Sequence, residues 1–365
     1  YLARETSTWN NYVCIMCSKQ LRRLILVHRH GDRCPGVLGS NDPQESASWM
    51  NKLHSDNTDA AMLSQFPINS SHASPKHNTP PIGRLTKRGA QQLTSLGENI
   101  RSRYPTVTSR PTVWSSNYKR TQQSAGWLLL GLQAAPGTAI TVQEPNSNSI
   151  DPFSRYKRIS EITTELAQSE AFLAHEKAKG LDIVQEKLIT MPCFQTIPFQ
   201  WFHAVDVLTC HRYHLDVHKP ISIAKLIPST LAAEQYMVWR FLEYYNNDQV
   251  LKLCCGDILS ELCELVQLTS LETGVEDGDE IPLTVYSGHD VTVFPLAKVF
   301  GHEWQAWPEY ASHLVLEVWQ DEIKVLLNDA APGCTSGLTV IGSYSHEEFK
   351  QIYTNVEAGT MNVLL

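Results

Sequence analysis

Two short apolar runs, each ending abruptly in polar residues, dominate the hydrophobic pattern of this chain. Leu24 to Val27 carries no polar alternation, as a strand covered on both faces reads, and Gly31, Pro35 and Gly36 stop it at once. Ile281 to Tyr286 is a second such strand; Ser287-Gly288-His289-Asp290-Val291-Thr292 follows it, and Phe294 to Phe300 reads as a helix. In an open α/β sheet ligands bind beyond the carboxyl ends of the strands, so both polar stretches lie where chemistry is expected.

Between these runs the period changes several times. Leu93, Leu96, Ile100 and Tyr104 recur at three and four, which predicts a helix capped by Thr86 and closed by Pro105. Pro111 to Trp114 predicts a strand, a helix follows from near Lys119 to Leu132, and Ala139 to Gln143 predicts another strand. From about residue 150 the pattern predicts helices over 160–178, 204–217, 230–245 and 249–268 without strand alternation. His313 to Trp319 and Ile323 to Leu327 predict a hairpin, and Ser345 with Glu348 makes a capping box for a last helix carrying Phe349 and Ile352. Residues 37–82, rich in Ser, Asn, Pro and His, show no sustained period and read as a long loop; residues 1–20 read as a tail and Glu272 to Glu280 as a solvated acidic loop.

The expected fold is therefore α/β: a three-layer α/β/α core with a mostly parallel sheet over residues 20–150 and 281–345, interrupted by a helical cap at residues 151–280. A chain of 365 residues is long enough to bury such a core. Its 30 Lys and Arg against 38 Asp and Glu, net −8, exclude a general affinity for nucleic acid, and any phosphate it binds must be drawn by a local cationic pocket.

Nine cysteines (Cys14, Cys17, Cys34, Cys193, Cys210, Cys254, Cys255, Cys263 and Cys334) allow several bridges with at least one thiol left over. Cys14-x-x-Cys17 has no second pair at zinc spacing, so a disulfide or two plain thiols is expected there. Asn69-Ser70-Ser71 is a glycosylation sequon and points to a glycoprotein of the secretory pathway, whether Golgi, lysosomal or secreted. The chain begins at Tyr1, which leaves room for an upstream signal or anchor.

The residues after the first strand name a ligand class. Arg29 and Arg33 bracket His30; a guanidinium offers a planar fork for phosphate oxygens, and a neutral imidazole is the side chain that can attack phosphorus near neutral pH. Arg120 falls in the first turn of a helix beyond a strand, where free amides and the dipole favour anions.

Arg29-His30-Gly31-Asp32-Arg33-Cys34-Pro35 resembles the Arg-His-Gly-x-Arg-x-Pro signature of the histidine acid phosphatases, in the second branch of the histidine phosphatase superfamily. Leu85-Thr86-x-x-Gly89-x-x-Gln92, Ser116-x-x-x-Arg120-Thr121 and His289-Asp290 resemble the later blocks of that family, with Gly288 and Val291 where Ala and Thr are commoner. The resemblance covers about residues 22–132 and 281–330; in motif detail, including Leu316-Glu-Val-Trp-Gln320, it is similar to the 2-phosphoxylose phosphatase-like branch.

What the resemblance implies is a metal-independent phosphomonoesterase without a cofactor, acting on a small-molecule or glycan phosphate monoester. His30 would be the nucleophile, Arg29, Arg33, Arg120 and His289 would clamp the phosphate, and Asp290 would donate the proton. Asp206 and His214 resemble a cap helix facing the substrate pocket, and Cys34 is a third candidate for the pocket wall, the other reading being that it packs inward or is bridged. His211, His214 and His218 have a spacing that fits one helix face, but without acidic or cysteine partners at fixed offsets they read as surface histidines, as do His54, His72 and His77 in the long loop. Two other functions fit the motifs: a phytase-like inositol polyphosphate phosphatase, and a non-catalytic member that binds phosphosugars. Oligomeric state is not readable.

Overall fold

The apolar run at the start of the chain is split between two cores. In the computed structural model, which describes residues 20–361 apart from 73, 78, 272–278 and 329–336, strand β1 (Leu21–Arg29) turns Leu24 and Leu26 to one face of the sheet and Ile25 and Val27 to the other. All four are buried, each burial worth roughly 1.5–3 kcal/mol. A strand at the centre of a sheet with helices on both faces needs this continuous apolarity.

The remaining elements in chain order are α1 (Pro43–Met50), α2 (Asp56–Gln65), β2 (Ile68–Asn69), α3 (Lys87–Arg103), β3 (Thr112–Ser115), α4 (Lys119–Leu132), β4 (Ile140–Val142), α5 (Pro152–Arg155), α6 (Lys157–Ala167), α7 (Glu170–Ala178), α8 (Leu181–Leu188), α9 (Trp201–Tyr213), α10 (Ile221–Ala224), α11 (Thr230–Tyr245), α12 (Asp248–Leu271), β5 (Leu283–Gly288), α13 (Asp290–Val299), β6 (His313–Trp319), β7 (Ile323–Asn328), β8 (Thr339–Tyr344) and α14 (His346–Ala358). The eight strands form one sheet in the order β2-β4-β3-β5-β1-β6-β7-β8, parallel from β2 to β1 and antiparallel from β1 to β8. Helices α2, α3 and α4 cover the Leu24 face, and α12, α13 and α14 with the inserted helices cover the Ile25 face.

Strand β8 and helices α5, α8 and α10 are absent from the sequence expectation, and three further features differ from it. Residues 37–82 hold two helices and a short strand, because Asp42 and Ser55 cap α1 and α2 through their side chains although neither helix has a strong apolar stripe. The predicted helix 160–178 is two helices, since Ser169 caps α7 and interrupts it. The cysteines form no bridges among the described residues: Cys34, Cys193, Cys210, Cys254, Cys255 and Cys263 are free and buried. Residues 1–19 with Cys14 and Cys17, most of the acidic loop, and Cys334 lie outside the described residues.

Candidate active site

Strands β3, β5 and β1 are neighbours, and their register brings three sequence-distant stretches to one sheet edge. Arg29 pairs with Gly288 and Ser115 with Ser287, and the His30 N–H donates to the Gly288 carbonyl at 3.0 Å. His30, His289-Asp290 and Ser116 to Arg120 thus emerge side by side at carboxyl ends. The chain after β1 lies against the first turn of α3 because both contacts are glycines: a Cβ on Gly31 would stand 2.4 Å from the Gly89 carbonyl oxygen, and one on Gly89 2.2 Å from that of Asp32.

His30 Nδ1 lies 2.8 Å from the Gly31 carbonyl oxygen. A carbonyl only accepts, so Nδ1 carries the hydrogen and Nε2 keeps its lone pair. Burial, then the charges of Arg120, Arg29 and Arg33, hold the His30 pKa well below the ordinary value, so the ring is neutral at pH 7. Its ring centroid lies 5.7 Å from that of His289 and 5.9 Å from that of Tyr310.

Three buried arginines surround it, of which Arg29 and Arg33 are anchored at their terminal nitrogens by carboxylates. Arg29 reaches Asp290 Oδ2 at 2.9 Å, donates to the Pro308 carbonyl and stacks 4.3 Å over Tyr310. Arg33 contacts Asp206 at 2.8 and 3.1 Å; burial disfavours its charge, but Asp206 outweighs this and holds its pKa well above the usual arginine range. Arg120 lies 4.2 Å over the Tyr118 ring; burial and Arg33 bring its pKa down to about 10, still cationic at pH 7. The Nε of each of the three is buried with no hydrogen-bond partner among the described residues. Three unpaired N–H donors beside a neutral imidazole form a site for an oxyanion, since a buried donor left unpaired is costly.

His289 caps α13: its ring accepts from the Thr292 N–H and Thr292 Oγ1 accepts the His289 N–H at 3.0 Å. Its Nε2 lies 2.8 Å from Ser116 Oγ. Burial and Arg120 lower its pKa to about 3. Asp290 Oδ2 accepts from Trp307 Nε1 at 3.1 Å and Oδ1 from the Val291 N–H at 2.9 Å. Burial pushes the Asp290 pKa up, but Arg29 and His289 outweigh it, so the carboxyl sits below the usual range and is ionised at pH 7.

A cleft of about 980 Å³ is lined by Arg33, Arg120, His289 and Asp290 of this cluster, though not by His30 or Arg29, and by residues of the inserted helices, including Ser160, Thr163, Gln168, Gln185, Gln200 and Trp201. Asp206 lies at its wall, holding Arg33 and accepting the Gly36 N–H at 2.7 Å.

Two sequence candidates lie elsewhere. His214, at the end of α9, is buried 2.6 Å from Asp32 Oδ2 and packs on Trp49, away from the cleft. Cys34 is fully buried with its Sγ toward the Trp49 carbonyl, among Leu53, Cys210 and Val217, and burial pushes its thiol pKa up. Of the histidines read as surface residues, His211 is also buried, against Glu45 Oε1 at 3.0 Å, whereas His218 is partly exposed and lies 2.9 Å from Asp42 Oδ2. These carboxylates come from the segment read as loop, so no offset within the sequence exposed them. No cluster of His, Cys, Asp or Glu among the described residues is arranged to hold a metal ion.

Sequence reading missed Tyr118, His77, Trp307 and Tyr310. Tyr118 contacts the Arg120, His77 and His289 rings, and His77 lines the cleft with its pKa lowered to about 4 by burial and Arg120. The aromatic crowding of Trp304, Trp307 and Tyr310 in a short connection was the available signal; His77 had none.

The histidine phosphatase superfamily (branch 2) family model matches residues 20–330. Counting factor 60 of Dictyostelium discoideum is 24% identical over 263 residues, 66% of this chain but 60% of that protein's length. Prostatic acid phosphatase of Rattus norvegicus is 24% identical over 331 residues, 83% of this chain and 76% of that protein; 2-phosphoxylose phosphatase 1 of Homo sapiens is 23% identical over 333 residues, 83% of this chain and 68% of that protein. Among solved structures, the Citrobacter braakii phytase superposes with a TM-score of 0.57 at 14% identity, covering 94% of this chain and all of that one, which bears on fold alone.

Proposed function

Since the chain belongs to the histidine phosphatase superfamily, branch 2, we propose that it is an acid phosphatase-type phosphomonoester hydrolase whose nucleophile is His30. The observation that carries this is the His30 ring, its Nδ1 hydrogen given to Gly31 and its Nε2 lone pair left free among three arginines with unpaired Nε–H groups. His30 Nε2 forms a bond to phosphorus as the ester P–O bond breaks, and Asp290 gives its proton to the leaving oxygen. Water then attacks the phosphohistidine, its proton passes to Asp290, and the N–P bond breaks to release phosphate. Arg29, Arg33 and Arg120 stabilise the charge on the transferring phosphoryl group, and no step calls on a metal or cofactor. His289 completes the clamp by turning its Nε2–H from Ser116 to a phosphate oxygen.

Asp290 is ionised in the resting site, so the acid form must be supplied by low pH or by a proton arriving on the phosphate monoanion. The cleft's neutral amides and hydroxyls, with Trp201 and Phe153 for stacking, favour a leaving group such as a sugar or glycan carrying one phosphate. A polyphosphorylated inositol would demand more cations than Arg33, Arg120 and Arg240, the last already paired with Glu176. The exposed sequon Asn69 and the lysosomal acid phosphatases among the relatives support a glycoprotein working in the secretory pathway. No helix among the described residues is long and apolar enough to cross a membrane.

Quenching during turnover of a ³²P-labelled sugar phosphate tests the proposal. Acid-labile, alkali-stable label on the peptide containing His30, absent in His30→Ala, is expected; activity near wild type in His30→Ala would overturn it.

A further inference from the structure

A second cavity also reaches Asp290. It is narrow, about 220 Å³, and lies between α9, α11 and residues 305–310. The wide cleft and this one share Arg33, Phe202, Asp206, Met237 and Asp290. Arg29 and Trp307, the two groups that hold Asp290 Oδ2, are both in the narrow wall. Asp290 therefore stands at the junction of two cavities.

Both linings mix polar and apolar residues, and the narrow one is the more apolar of the two. Val205, Leu231, Val238, Ala306, Trp307 and Pro308 form the apolar part of the narrow cavity's wall. Its acids are already engaged: Glu234 accepts from Thr209 at 2.7 Å and from Arg212 at 2.8 Å, and Glu309 accepts from Tyr213. Leu231 and Phe202 are 59% and 39% exposed, apolar surface that a passing alkyl chain would cover.

From this continuity we infer that the narrow cavity is a second leaving-group subsite, and that the enzyme also hydrolyses phosphate monoesters of apolar alcohols whose chains lie in it. The inference rests on the phosphomonoesterase reading: the same N–P bond forms and the same P–O bond breaks, and only the path of the leaving alcohol differs. A sugar keeps hydrogen-bond partners in the wide cleft. An alkyl chain lying in the narrow cavity is removed from water against its apolar wall, at about 0.8 kcal/mol per methylene, close to fourfold.

The test is a series of n-alkyl phosphates from ethyl to octyl, with nitrophenyl phosphate as reference. Wild-type kcat/KM is expected to climb about two- to fourfold per methylene over the first several carbons. Ala306→Trp, which fills the narrow cavity, and Leu231→Glu, which charges its rim, should each lower the octyl-to-ethyl ratio at least about tenfold, whereas Phe153→Ala in the wide cleft should preserve it; the exposed Leu231 position supplies the second variant if Ala306→Trp does not fold. A flat series in wild type, or a gradient that survives both substitutions, overturns the subsite while leaving the phosphomonoesterase reading intact. Failure to hydrolyse any ester, ethyl and nitrophenyl included, overturns both.

Discussion

Asp206, on cap helix α9, grips Arg33 with both carboxylate oxygens, at 2.8 and 3.1 Å, and takes the Gly36 N–H at 2.7 Å as well. An arginine from the sheet edge is thereby aimed by a residue some 170 positions away in sequence. The terminal nitrogens of Arg33 are held by Asp206 on α9, while its Nε has no hydrogen-bond partner among the described residues.

Asp206→Ala should therefore leave a buried, uncompensated guanidinium, which costs about 3–5 kcal/mol. Thermal unfolding should shift down, and inorganic phosphate, an anion able to pair with Arg33, should recover more of the loss than it adds to wild type. An unchanged midpoint would show that the pair does not hold the cap to the core.

Asp290→Asn should separate leaving groups. An alkoxide needs a proton as the P–O bond breaks and a nitrophenolate does not, so the sugar phosphate should lose about 10²–10⁴ in rate and the aryl ester far less. Wild-type turnover of the sugar ester should also fall as pH rises, because Arg29 keeps the Asp290 pKa low and the protonated fraction drops tenfold per unit above it. Equal losses on both esters under single-turnover conditions would make Asp290 a prop for Arg29.

Buried neutral histidines make the free enzyme acid-sensitive. His28, His289 and His313 have pKa values lowered to about 4, about 3 and about 4 by burial. Their folded pKa values lie below the unfolded one near 6.5. Stability they contribute is thus full above pH 6.5 and is lost as pH falls toward 4, by up to about 1.4 kcal/mol per pH unit for each. Denaturant midpoints should decline from pH 7 to pH 4.5, and phosphate should flatten the decline by favouring protonated His289. A flat profile without phosphate would contradict the neutral assignment.

Gly89→Ala should disturb the site from beneath. Its Cβ would meet the Asp32 backbone at 2.2 and 2.7 Å, so β1 and α3 must separate, at about 1–3 kcal/mol. Activity should fall along with stability, since His30 rides on the same chain turn. A folded variant with unchanged kcat would mean the close approach does not position His30.

Strands β1 and β3 to β7 and helices α3, α4 and α14 were legible because each rule acts locally: a central strand must be apolar on both faces, Thr86 and Ser345 cap through their own side chains, and Pro105 cannot continue a helix; β2, two residues long, and β8, with no buried residue, were not. That Arg29, His30, Arg33 and His289-Asp290 would stand at the carboxyl ends of strands was legible for the same reason, as unusual residues packed into a strand end. What needed the tertiary structure was every partnership across the sheet or between cap and core. Sequence spacing cannot say that Glu45 meets His211, that Asp32 meets His214, or that Cys34 turns inward toward Trp49, because those distances are set by how α9 settles on the segment after β1. Helices α1 and α2 escaped for the complementary reason: with little apolar periodicity of their own, they are held by caps and by packing against α4 and α9. The folded surroundings then decided the protonation states: burial, with Arg120, Arg29 and Arg33, keeps His30 neutral, whereas Arg29 and His289 overcome burial to keep Asp290 ionised.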